Sequence, residues 1–137
     1  MSPKRIKVRK EKGKRIATPS QTWGTSPEQQ KPIFSLIYLQ KDYSLSACTR
    51  NEKAAFADTL QRLSQITWNE ISSSSRHGAG YERIRRNAIR SGIPPHLQAD
   101  VNFIAFRFFG KAPMVGYRDE NIFHILWIDR TFSLYDH

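Results

Sequence analysis

The side chains of this chain with chemistry to offer are cations and proton carriers. Arg107 and Arg118 fall on neighbouring strand-like runs, with Lys111 in the turn between them, and Arg130 follows the last such run. A guanidinium fork matches phosphate geometry and stays charged, so this spacing suits holding a phosphate. Arg83, Arg85, Arg86 and Arg90 put four more cations within eight residues, where they repel one another unless an anion meets them. That cluster is expected to contact phosphate or, alternatively, an acidic protein. The groups able to move a proton are His77, His96, His124, Tyr135 and His137. His124 lies on a strand and points either into a site or into the core. His77, beside Gly78 and Gly80, belongs to a loop.

Other chemistries find no motif. The chain has no P-loop, no G-x-G-x-x-G, no G-x-S-x-G and no H-E-x-x-H. The single cysteine, Cys48, excludes an internal disulfide framework and a multi-cysteine metal site. It precedes a helix start, which lowers a thiol pKa, but nothing else points to a thiol enzyme, so it reads as buried and inert. Asp129, Asp136, His124 and His137 lack metal-site spacing, and no metal or cofactor is expected.

A net charge of +10 over 137 residues attracts polyanions, and RNA is favoured over DNA as the partner. The excess is uneven: residues 1–15 hold eight of the 22 basic residues and one of the 12 acidic ones. Residues 1–32, with four prolines and few apolar side chains, are expected to form a flexible basic arm. Its Lys4, Arg5, Lys7, Arg9 and Lys10 are expected nucleic-acid contacts. Trp23 docks on the domain, stacks on a base, or is a loose tail aromatic. No apolar run approaches the roughly 20 residues of a membrane span. The basic start has no apolar h-region, so a cytoplasmic protein without membrane contact is expected.

The elements that must position these groups occupy residues 33–137. A hydrophobic content of 39%, with 8 Phe, 5 Tyr and 3 Trp, is enough for a core. Ile33–Gln40 reads as a strand. Thr49 and Glu52 form a capping box that starts a helix, with Phe56, Leu60, Leu63 and Ile66 as its apolar stripe. Thr67–Ile71 continues that helix or begins a second one, which Ser72–Ser75 end. Residues 76–100 read as irregular, with room for one short helix between Tyr81 and Arg90, because Gly78, Gly80, Gly92 and Pro94-Pro95 interrupt them.

Three β-rich runs then follow, VNFIAFRFFG, APMVGYRD and NIFHILWIDR, joined closely enough to imply an antiparallel meander. Alternation sets Phe103, Ala105 and Arg107 against Ile104, Phe106 and Phe108. In the last run it sets Ile122, His124 and Leu126 against Phe123, Ile125 and Trp127. A final SLYDH is expected to add a short pairing. The fold class expected is α+β: an antiparallel sheet of about four strands packed by one or two helices, behind a disordered basic N-terminal arm.

This order, and above all AFRFFGKAPMVGYRDENIFHILWIDRTFSLYDH over Ala105–His137, resembles the RelE/ParE superfamily of bacterial toxins, many of them ribosome-associated mRNA endonucleases. The likeness spans residues 33–137 in layout and the last third residue by residue. The basic arm, the short helical hairpin and an arginine cluster in place of lysines depart from that pattern. The resemblance implies a toxin of a toxin–antitoxin system, an mRNA interferase cutting RNA, possible on the ribosome, without metal. Such a reaction needs a base for the 2′-OH, cations for the phosphorane-like transition state and an acid for the 5′-oxygen. Arg107, Lys111 and Arg118 are then the phosphate ligands, Tyr135 and His137 the proton carriers, and a neutralising antitoxin-like protein the partner. The alternative is a non-catalytic nucleic-acid-binding module using the arm and the arginine patch. A third reading is a protein-interaction domain whose basic face docks an acidic partner.

Overall fold

The structure, a computed structural model, describes residues 26–74 and 80–136. The arm residues Lys4, Arg5, Lys7, Arg9, Lys10 and Trp23, the loop residues Arg76 and His77, and the terminal His137 lie outside the described residues. The chain builds β1 (Ile33–Ser35), α1 (Arg50–Leu63), α2 (Trp68–Ser73), β2 (Glu82–Ile84), β3 (Phe103–Phe109), β4 (Ala112–Asp119) and β5 (Ile122–Ile128). The fold is α+β.

Helix α1 begins where the capping box places it. Thr49 Oγ1 accepts the Glu52 amide at 3.1 Å, and Glu52 Oε1 accepts the Thr49 amide at 2.7 Å. Phe56 and Leu63 are buried, and Leu60 and Ile66 pack against the same core. The chain then restarts as α2 because Thr67 and Glu70 form a second capping box, with Thr67 taking the Glu70 amide at 3.2 Å. That T-x-x-E spacing decides between the two readings of Thr67–Ile71.

The described strands form one five-stranded sheet in the order β1-β5-β4-β3-β2, with β1 parallel to β5 and the other pairs antiparallel. The sheet is therefore mixed and carries one strand more than expected. The extra strand, β2, lies in the segment read as irregular, where a short helix had room. Its three residues pair with Phe103–Ala105, and Ile84 is buried, so tertiary packing makes the strand. Beyond it the chain makes a single 3-10 turn at Arg86–Ala88. Strand β1 ends at Ser35 because the chain turns there, the Leu39 amide bonding to the Leu36 carbonyl at 3.1 Å, and touches the sheet again when the Gln40 amide meets Leu126 O at 2.8 Å. The terminal segment adds no strand. It is tied to the arginine-rich stretch at Arg90, whose amide bonds to Leu134 O at 2.8 Å and whose side chain pairs with Asp136.

Both faces of the sheet are covered. Ile104, Phe106, Phe108 and Phe123 meet the helices, with Trp68 and Phe56 packed onto them. Phe103, Ala105, Val115 and Trp127 face the other way, under Ile89, Ile93, Leu97 and Val101. Strict alternation fails in β5. Val115 pairs with Trp127 but Gly116 pairs with Ile125, so Leu126 is a bulge residue. The extra residue turns Trp127 away from Phe123 and Ile125 and sets it edge-on to Phe103 at 5.4 Å.

Candidate active site

A second bulge shapes the end of the β3–β4 hairpin. Arg107 pairs with Pro113 and Phe109 with Ala112, leaving Phe108 over, and Gly110 takes the turn with φ +57°. Bulges re-aim neighbouring side chains, and Arg107 is the neighbour here. On its face of the sheet the only side chain between Phe103 and Arg107 is Ala105, and no residue of the covering stretch 85–101 reaches that end. The result is a cavity of about 350 Å³. Its floor is Ala105 and Pro113, and its walls carry Arg107, Lys111, Glu82, Tyr135 and Phe132. That volume lies within the roughly 300–1,000 Å³ range of ligand sites.

Three residues singled out from the sequence thus converge: Arg107, Lys111 and Tyr135. Glu82 joins them because β2 registers it opposite Ala105, on the same face. It is the one acid in a stretch dominated by arginines, and that isolation is its sequence signal. Tyr135 is held by the turn before it. Buried Asp129 accepts the Ser133 amide at 2.9 Å and the Leu134 amide at 3.0 Å, fixing where the following residue enters the core. Burial, then the nearby carboxylates Glu82 and Asp129, push the Tyr135 phenol far above its ordinary value, against a smaller opposite pull from Arg107. The phenol therefore stays protonated at neutral pH.

This burial has a consequence for stability. In the unfolded chain tyrosine ionises near pH 10, and in the fold Tyr135 ionises higher. Its contribution is fully present below pH 10 and is lost as pH rises above that point, where unfolding releases a proton. Tyr135→Phe should flatten the alkaline decline in melting temperature measured between about pH 9 and 11. The decline should not vanish, because burial also raises Tyr117.

The other candidates among the described residues go elsewhere. Arg118 alternates onto the helix face of β4, opposite Phe123. Its guanidinium lies 4.5 Å over the Trp68 ring and 3.3 Å from the Glu28 carboxylate. The sheet therefore stands between Arg118 and Arg107. Arg130 meets Glu52 at 2.7 Å, tying the turn after β5 to the start of α1, and this contact holds the Glu52 carboxyl below its usual range.

The arginine cluster divides in the same way. Arg86 donates to Gln98 O at 2.8 Å and covers the Phe103 ring, and Arg90 pairs with Asp136. Arg83 and Arg85 are exposed, with Arg83 near the Tyr81 ring.

His124 is half-buried between Tyr117, stacked at 4.9 Å, and Tyr38 at 5.4 Å, and Tyr38 in turn lies 4.2 Å from His96. Burial pushes the His124 imidazole below its ordinary value. Neither histidine lines the cavity. Cys48 is buried, and burial pushes its thiol up, away from the reactive thiolate.

Among the described residues no three His, Cys, Asp or Glu side chains come together as a metal site, and no helix is long and apolar enough to cross a membrane. Compared with family models, curated proteins and solved structures, the chain has no match.

Proposed function

We propose that the chain is a RelE-like toxin that cuts RNA without a metal ion. The observation that carries this reading is the convergence of two cations, a carboxylate and a protonated phenol on one cavity. Each required role has a group of the right type. Glu82 takes the proton of the 2′-OH as that oxygen attacks the adjacent phosphorus. Arg107 and Lys111 balance the charge that builds on the non-bridging oxygens. Tyr135 gives its proton to the departing 5′-oxygen. A raised phenol is a weak acid, but an alkoxide is a stronger base still, so the transfer runs downhill. The bond from phosphorus to the 5′-oxygen breaks as the bond to the 2′-oxygen forms, leaving a 2′,3′-cyclic phosphate and a 5′-hydroxyl. Arg118 has no part in this reading, and a neutralising partner would act by covering the cavity.

The test is cleavage of end-labelled RNA by the purified chain in EDTA, with and without ribosomes. Fragments ending in 2′,3′-cyclic phosphate are the expected result. Retarded but intact RNA under both conditions would replace the nuclease with a nucleic-acid-binding module, for which exposed Arg83 and Arg85 are the natural contacts.

A further inference from the structure

One wall of the cavity has no role in the chemistry above. Phe132 lines it beside Arg107 and Lys111, yet the residue remains 40% exposed. Its backbone has φ +60°, a region that L-residues with large side chains rarely enter. Glycine or asparagine would fit that position with less strain. The surroundings enforce it: the Phe132 amide bonds to Asp129 O at 3.4 Å, and the buried Asp129 carboxylate takes the next two amides. A rigid turn thus holds a partly exposed aromatic residue at the wall of a cationic cavity.

We propose that Phe132 is the stacking platform for the nucleobase next to the phosphate held by Arg107 and Lys111. The inference rests on the reading of the cavity as an RNA site and adds the form of substrate it takes. A base can lie on the Phe132 ring only when it is out of a duplex, so the substrate is single-stranded. Every base has a π-face, so stacking alone accepts all four. Beyond Glu82 and the cations, the walls offer Tyr135 and apolar groups, and the cavity selects strand state above sequence.

The test uses the full chain and a short 2′-O-methyl oligonucleotide, which binds but cannot be cut, with 2-aminopurine at one position. Wild type should quench the 2-aminopurine. Phe132→Asn keeps a residue tolerant of the left-handed backbone but removes the ring. It should melt no lower than wild type, lose the quenching and bind about tenfold more weakly. An abasic spacer in place of 2-aminopurine should weaken wild type by the same factor and leave Phe132→Asn unaffected, as expected for two partners of one contact.

If wild type binds the abasic and parent oligonucleotides equally while Arg107→Ala weakens both, the phosphate site stands and the stacking platform is overturned. If Arg107→Ala binds like wild type, or wild type does not bind, the reading of the cavity falls and the platform with it.

Discussion

Replacing Arg107 by alanine should slow RNA cleavage by about 10²–10³-fold, the usual cost of losing one preorganised donor to a transition-state oxyanion. The size of the effect follows from position. Arg107 is half-buried at a strand end, its direction set by the bulge at Phe108, so it does not reorganise as charge develops. Lys111 is exposed in the turn and presents a point charge on a flexible stem, so Lys111→Ala should cost less, about tenfold. Arg118→Ala is the informative contrast. Its guanidinium covers Trp68 across the sheet, so any cleavage by the folded protein should be unchanged although the melting temperature falls. Initial rates on end-labelled RNA, taken beside thermal melts of each variant, separate these outcomes. Equal losses in Arg107→Ala and Arg118→Ala would mean that the cavity is not where the phosphate binds.

That contrast also marks how far the sequence carries. Arg107 and Arg118 look equivalent in one dimension, being strand arginines on either side of a turn. Alternation does set their faces, but the count is reliable only if no bulge intervenes, and β3 and β5 each contain one. The capping box at Thr49 was legible because its partner is three residues away, while the same spacing at Thr67 and Glu70 goes unread and the segment keeps two readings. The meander was legible because its turns are short. Local signals end there. Strand β1 lies parallel to β5 across the length of the domain, and no turn between them dictates direction. Strand β2 is three residues long, and only the pairing of Glu82 with Ala105 reveals that Glu82 faces the cavity. Tyr135 sits in the final SLYDH, where a short pairing is expected, and Asp129, by holding the Ser133 and Leu134 amides, sets it into the core instead.

Gly116→Ala should be the most damaging single-methyl change in the domain. A β-carbon there would lie 1.9 Å from the His124 carbonyl oxygen, 2.9 Å from its carbon and 3.0 Å from Ile125 Cα. All three atoms are backbone, so no rotamer change relieves the overlap. The strands β4 and β5 must part at their centre, where the register shifts between Val115 and Gly116. We expect a loss of about 3 kcal/mol or more, at or beyond the upper end for overpacking. A urea titration followed by tryptophan fluorescence reads it directly, because Trp127 is buried next to the bulge. Gly92→Ala supplies the comparison: a β-carbon there meets nothing within 4 Å, and its stability should change by less than about 1 kcal/mol. The damage at Gly116 should reach the cavity as well. Trp127 packs in the cluster that holds Phe103, Ala105, Leu134 and Tyr135, so moving it shifts Ala105 and Tyr135 of the cavity together. Folded Gly116→Ala should therefore cut RNA more slowly than its remaining folded fraction accounts for. A rate that simply tracks the folded fraction would instead show that the sheet yields on the β1 side and leaves the cavity intact.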